Sequence, residues 1–158
     1  MKRENINQSL KVAEIKLTYK TRIPASERPK VRCSIDAFEI LIASWDKDTI
    51  EHVEEFKVLL LNRSNKVLGL HNLSKGGVSG TITDAKVIFQ AALKSNASAL
   101  IIAHNHPSGS LDASDADIRL TKKICAGAKL LDISVLDHLI ITPEETYKSL
   151  SDSGQMGV

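Results

Sequence analysis

Two histidines in this chain have the spacing of a metal site. His104 and His106 are separated by one residue and follow an apolar run, residues 99–103, that predicts a buried strand. Alternate side chains of an extended backbone point the same way, so the two imidazoles can reach one ion while Asn105 points elsewhere. Pro107 is expected to end the strand. The pattern predicts a binding site at the end of the strand.

The third candidate ligand belongs to the next element. Ser114 is predicted to cap a helix that carries Asp117 in its first turn, which returns the carboxylate towards the histidines. Two histidine nitrogens and one carboxylate oxygen leave one position open on a tetrahedral Zn²⁺, as in catalytic zinc sites. Ser-x-x-Asp is also an ordinary capping pattern, and histidines at strand ends are often solvated or packed. The two features together favour the metal site.

Hydrolysis by a zinc-activated water also needs a group that carries protons to the leaving atom. Glu54 is the best candidate in the N-terminal half of the chain. It starts a hydrophobic strand, where it faces the same side as Phe56 and the opposite side to Glu55. A solvated glutamate at a strand end is the alternative, and spacing alone does not choose between the two.

Composition limits the class of protein. The chain has 158 residues, of which 42% are hydrophobic, and this predicts one globular domain with its own core. The net charge is +2, from 21 basic and 19 acidic residues, which gives no electrostatic argument for binding nucleic acid or a membrane. Residues 1–9 are polar and no apolar run reaches membrane-spanning length, so a cytoplasmic protein is expected. Cys33 and Cys125 are expected to be buried free thiols in a reducing compartment.

Strand and helix patterns alternate along the chain. This predicts an α/β architecture with mixed strand directions, in which residues 1–30 form a first strand and a connecting arm and residues 31–158 form the main domain. A glycine-rich stretch over residues 74–80 lacks the features of a phosphate loop and is predicted to be a turn. The predicted strands are residues 10–19, 54–61, 66–73, 99–103 and 131–141, with a hairpin between the second and third; the predicted helices are residues 35–45 after an N-cap at Ser34, 84–95 after Asp84, and 114–126.

The candidate residues together resemble the JAMM (MPN+) signature of zinc-dependent isopeptidases. The residues that carry the resemblance are Glu54, His104, His106, Ser114 and Asp117. The longer strings HNHPSG, residues 104–109, and LDHLII, residues 136–141, are similar to the RadC-like branch of that superfamily, historically labelled DNA repair proteins. The similarity runs from Glu54 to the C-terminus, which is most of the chain.

The resemblance implies a fold and a reaction. The fold is a cytidine-deaminase-like, three-layer α/β/α domain with a curved, mixed sheet. The reaction is zinc-dependent hydrolysis of a peptide or isopeptide amide bond, with Zn²⁺ bound by His104, His106 and Asp117. Glu54 handles the proton and Ser114 helps to hold the tetrahedral oxyanion. Ser114 can also cap its helix, since capping uses the oxygen as acceptor whereas catalysis uses the hydroxyl hydrogen.

Two differences from the family bear on DNA binding and on the helix entry. Ala113 stands where RadC-like chains often have a proline, which loosens the helix entry without removing a ligand. Residues 1–7 and 24–30 cannot form the helix-hairpin-helix region of longer relatives, so direct DNA binding is not expected from the sequence. His138 also belongs to the resemblance, and is predicted to be a hydrogen-bonded core histidine and not a fourth ligand.

The alternative function belongs to a different class. A non-catalytic DNA-repair accessory or protein-interaction module would keep the fold, with the metal serving stability. The expected partners are an unidentified peptide or protein substrate and a second copy of the chain in a homodimer, with no membrane partner. DNA binding stays possible through the family label, although the balanced charge does not support it.

Overall fold

Three helices and five strands lie in residues 12–76 and 83–157, the part of the chain that this computed structural model describes. In chain order they are α1 (Ser34–Ile42), β1 (Glu55–Leu61), β2 (Val67–Lys75), α2 (Ala85–Lys94), β3 (Ala99–Asn105), α3 (Asp115–Leu130), β4 (Ser134–Ile141) and β5 (Tyr147–Ser149). None of these helices is both long and apolar enough to pass through a membrane.

The five strands form one mixed sheet in the order β2-β1-β3-β4-β5. β1 is antiparallel to both β2 and β3, β3 is parallel to β4, and β5 is antiparallel to β4. The parallel pair requires a crossover, which α3 supplies. The predicted α/β class with mixed strand directions is therefore confirmed, and so is the predicted hairpin between β1 and β2.

Both faces of the sheet carry helices. Alternate residues of β1 point to opposite faces, so Leu59 packs in the same cluster as Leu41 of α1. Leu60 belongs to a second cluster that contains Ile88 of α2 and Ile124 of α3. Because both faces are covered, β1 and β3 are buried along their whole length and their sequences are almost continuously apolar.

β3 continues two residues beyond its predicted end. His104 and Asn105 are the last residues of the strand, paired with β4, and His106 follows it. The backbone N–H of His106 still donates to the Ile141 carbonyl at 2.8 Å. Strand pairing thus fixes the backbone of both histidines.

Helix α3 is longer than predicted. The expectation that it ends near Gly127 is wrong, because it continues to Leu130. A Cβ at Gly127 would lie 2.8 Å from the Phe89 ring, which is too close. This glycine allows α2 and α3 to approach each other and does not end the helix.

The start of α1 also differs from the prediction. Ser34 is the first helical residue and Cys33 is the N-cap, without a side-chain capping bond. The Ser34 hydroxyl instead donates to the Asp152 carboxylate at 2.6 Å, which draws it away from its own helix. The prediction of a buried thiol is wrong for Cys33, which is exposed at this terminus, and confirmed for Cys125.

The predicted first strand, residues 10–19, is not formed over residues 12–19, the part of it that the structure describes. Residues 10 and 11 lie outside the described residues, and residues 12–20 have no regular structure. Ile15 and Leu17 are 84% and 78% exposed, so their apolar side chains have no sheet face to cover. Of the glycine-rich stretch, Ser74 and Lys75 belong to β2, and residues 77–80 lie outside the described residues.

Truncating a core leucine should destabilise this fold far more than truncating an exposed one. Leu59 is 0% exposed at the centre of the sheet, so Leu59→Ala should lower the free energy of unfolding by about 2 to 5 kcal/mol through lost burial and a residual cavity. Urea denaturation measures this. Leu17→Ala is the matched control with little expected effect, and equal losses for the two variants would contradict the described packing.

Candidate metal centre

The candidate site lies at the C-terminal end of β3, on the sheet face that α3 covers. His104 pairs with Phe56 of β1, and their rings stack with centroids 5.9 Å apart. Glu54 comes directly before β1 and, two residues from Phe56, belongs to the same side of the strand pattern. The sheet therefore brings a carboxylate from one strand to the histidines of its neighbour.

The structure brings the predicted site residues together. The Nε2 atoms of His104 and His106 are 2.9 Å apart. The Asp117 carboxylate lies 3.3 Å from His104 Nε2 and 3.7 Å from His106 Nε2. One oxygen of Glu54 and one nitrogen of each histidine also lie within 4.8 Å of one another. Each of the two carboxylates thus lies close to the histidine pair.

A chain of hydrogen bonds fixes the tautomer of His104. The Thr121 hydroxyl donates to the Asp117 backbone carbonyl at 2.7 Å, so it accepts from Nδ1–H of His138 at 2.6 Å. Nε2 of neutral His138 then accepts from Nδ1–H of His104 at 2.8 Å. This leaves the lone pair of His104 Nε2 directed into the site.

His138 stays neutral in this chain because it is fully buried. Burial lowers the pKa of His138 well below its usual value, and the neighbouring His104 lowers it further. The prediction of a hydrogen-bonded core histidine is confirmed, since His138 is buried and contacts His104 and Thr121. It orients a candidate ligand, as the outer partners of metal-bound histidines commonly do.

The second histidine is oriented by the turn after β3. His106 Nδ1 donates to the Ser110 carbonyl at 2.8 Å, so the lone pair of its Nε2 also points into the site. The turn depends on Gly109, whose φ of +80° is strained for other residues and where an added Cβ would lie 3.2 Å from the Glu144 carboxylate. The turn sequence therefore sets the direction of a ligand.

These two lone pairs and a carboxylate fit a cation. Two neutral Nε2 atoms 2.9 Å apart repel each other unless a proton or a metal ion lies between them. Ligands 2.0–2.1 Å from a tetrahedral Zn²⁺ are roughly 3.3 Å apart, close to the separations found among His104, His106 and Asp117. The donor set of imidazole and carboxylate also suits Zn²⁺.

When a proton takes the place of the cation, a histidine Nε2–H replaces the lone pair and is directed at Asp117. The hydrogen bond to Asp117 raises the pKa of His106, with burial opposing this and the Ser110 carbonyl supporting it. Burial by itself raises the pKa of Asp117. The hydrogen bonds from His104 and His106 outweigh it and hold the pKa of that carboxyl well below its usual range. Asp117 is therefore an anion, as a metal ligand must be.

Ser114 and Asp117 form the predicted capping box at the start of α3. Ser114 Oγ accepts from the Asp117 backbone N–H at 3.1 Å, and the Asp117 carboxylate accepts from the Ser114 backbone N–H at 2.8 Å. The Ser114 hydroxyl donates to the same carboxylate at 2.7 Å. Its hydrogen is thus directed at Asp117 in the structure, and donation to an oxyanion requires the hydroxyl to rotate.

Three supporting residues were not assigned a role from the sequence: Asn105, Ser110 and Thr121. Thr121 follows Asp117 by four residues, a spacing that places both on one helix face, so helical periodicity could have found it. Ser110 acts through its backbone carbonyl, for which side-chain identity gives no signal. Asn105 acts across the sheet from the ligands, on contacts that only the tertiary structure creates.

Comparison with known proteins places this α/β domain and its histidine–carboxylate cluster in a family. The chain belongs to the RadC-like JAB domain family, whose model matches residues 31–155. A UPF0758 protein of Flavobacterium johnsoniae is 48% identical over 125 residues, covering 79% of this chain and 53% of that protein. A UPF0758 protein of Porphyromonas gingivalis is 41% identical over 133 residues, covering 84% of this chain and 59% of the relative. The chain spans about half the length of the curated relatives it matches.

Removing the outer partner of His104 should weaken any binding of Zn²⁺ at this candidate site. His138→Leu leaves Nδ1–H of His104 without its acceptor, so the zinc affinity should fall about 10- to 100-fold. Competition with a chromophoric chelator measures this affinity. His52→Leu, at an exposed position, is the control, and an unchanged affinity in His138→Leu would contradict the orienting role.

Proposed function

We propose that this chain is a zinc-dependent metallohydrolase of the JAMM type that cleaves a peptide or isopeptide amide bond. The observation that carries the proposal is that two histidine lone pairs and one anionic carboxylate face the same point, where a cation would lie. Glu54 lies beside the histidines. Membership of the RadC-like JAB domain family supports it. Helices on both faces of a mixed sheet also fit the cytidine-deaminase-like layering that we propose for the fold.

His104, His106 and Asp117 are the proposed zinc ligands. Zinc held there supplies Lewis acidity, which lowers the pKa of water and polarises a carbonyl. Glu54 accepts the proton of the attacking water and delivers it to the nitrogen of the departing amine. Its distance to the histidines suits this role, because a base beside the ligand atoms can reach a water in the open position. Because Glu54 also meets the geometric requirement for a ligand, its role must be tested directly.

Ser114 is the proposed donor to the oxyanion that forms during attack. Its hydroxyl lies next to a proposed ligand, which places it at the edge of the site. The rival role is capping alone, and the direction of its hydrogen towards Asp117 favours that rival. The same observation also favours the alternative function, a non-catalytic interaction module.

Metal content and turnover in two variants test the zinc hydrolase. Wild-type protein should bind one Zn²⁺ per chain, His106→Ala should lose it, and Glu54→Gln should keep it, because only the first variant removes a proposed ligand. Both variants should lose hydrolysis of a panel of fluorogenic peptide and isopeptide amides, by about 100-fold or more for the loss of the base. Plasma mass spectrometry measures zinc.

The outcomes of that experiment separate the alternatives. Wild-type protein that never binds zinc would refute the proposal. Zinc loss in Glu54→Gln would make Glu54 a ligand and not a base. Full biological function in Glu54→Gln with zinc bound would favour the non-catalytic module, and steep salt dependence of DNA binding would point to its nucleic-acid form.

Two substitutions at Ser114 separate capping from catalysis. Glycine is nearly as good an N-cap as serine, whereas alanine costs about 1 kcal/mol, so Ser114→Gly should stay closer to wild type in stability than Ser114→Ala. If the hydroxyl donates to the oxyanion, both variants should lose turnover, by about 100-fold. Thermal unfolding and amide hydrolysis are the measurements. Wild-type turnover in Ser114→Gly would leave capping as the only role.

A further inference from the structure

Asn105 stands between the two proposed histidine ligands and points to the other face of β3. It is the last residue of the strand, and its side chain is 0% exposed. Neither it nor its contacts belong to the cluster of metal-binding atoms. A buried amide needs hydrogen-bond partners, and this one has three, all of them backbone groups of the segment that leads into β1.

The three bonds surround Glu54 in the chain. Asn105 Oδ1 accepts from the backbone N–H of Glu55 at 2.7 Å. Its Nδ2 donates to the carbonyls of Val53 and Ile50, both at 2.9 Å. One side chain thus holds the peptide groups on both sides of Glu54, together with the turn that precedes it.

One backbone contact of Glu54 leads to the residue that follows the neighbouring strand. Its carbonyl accepts from the Gly76 N–H at 2.8 Å, just after β2. Glu54 itself precedes β1, and β1–β3 pairing begins two residues later, at Phe56. Asn105 therefore links the strand that carries His104 directly to the segment that carries the glutamate.

We propose that Asn105 is a positioning residue that holds the Glu54 carboxylate beside the histidine pair. This inference rests on the proposed function, because it gives Glu54 the role of the base. Strand alternation makes the arrangement possible. His104 and His106 face the site, while Asn105 between them points to the opposite face and binds the backbone on both sides of Glu54. Only an amide supplies both an acceptor for Glu55 N–H and two donors for the carbonyls.

The primary variant is Asn105→Asp, which keeps the shape and the acceptor but loses both donors. A carboxylate 2.9 Å from two carbonyl oxygens repels them, so the segment of residues 50–54 should move away from β3. Asn105→Ala removes all three bonds without adding charge. Asn62→Ala is the control, because Asn62 also accepts from two backbone N–H groups, those of Ser64 and Lys66, at the far end of β1.

Crystal structures of the wild type and of both Asn105 variants provide the first readout, and this readout does not depend on metal or substrate. Glu54 should leave the 4.8 Å cluster with the histidines in both variants, while His104, His106 and Asp117 keep their positions. If Glu54 stays within the cluster in both variants, the inference is overturned. Should Asn105→Asp fail to fold, Asn105→Ala decides alone.

Kinetics of the zinc-loaded protein on the fluorogenic amide panel provide the second readout. Asn105→Asp should keep one Zn²⁺ per chain and its KM, while kcat falls by about 100-fold through misplacement of the base. Asn62→Ala should lose comparable thermal stability and keep kcat. Equal kcat losses in the control and the Asn105 variants would reduce Asn105 to a structural role and refute the inference. Wild-type protein without zinc or turnover would refute the proposed function instead, with the crystal structures still judging Asn105.

Discussion

The site depends on the alternation of side chains at the end of β3. His104 and the residues before it on the same face pack beneath α3, whereas Asn105 belongs to the opposite side. This alternation is maintained because β3 is paired on both edges, with β1 and with β4, up to its last residues. A shift of one residue in the register would exchange the ligand face and the supporting face. The central strand therefore determines on which face of the sheet the histidines lie.

Burial gives this arrangement its chemical character. His104 and His138 are both fully buried, so each ring nitrogen needs a defined partner and the choice of tautomer is no longer free. The chain of bonds begins at the Asp117 backbone carbonyl, which can only accept, and ends at His104 Nε2, which is left with a lone pair. Asp117 thus contributes to both ends of this series of hydrogen bonds. Its backbone carbonyl accepts from Thr121, and its carboxylate lies near His104 Nε2.

The residues with a short-range signature could be predicted from the sequence. The apolar run before His104 predicted β3, and the Ser114-x-x-Asp117 spacing predicted the capping box, because both patterns reflect local backbone geometry. The apolar residues before residue 20 predicted a strand that the described residues do not form, since alternation says nothing about whether a partner strand is available. Gly127 likewise predicted a helix end, because glycine is common there. The sequence does not show that this glycine is instead placed against Phe89 of another helix.

Non-local contacts explain what the sequence left open at the site. Glu54 could be chosen by strand alternation, yet its position beside the histidines depends on the register between β1 and β3 and on a segment outside both strands. The sequence pattern gives no role to the Asn105 side chain itself. Its proposed positioning role depends on hydrogen bonds to three backbone groups about 50 residues earlier. A strand of alternating residues can therefore carry the proposed ligands on one face and the support of the proposed base on the other, which would couple the geometry of the two groups without direct contact between them.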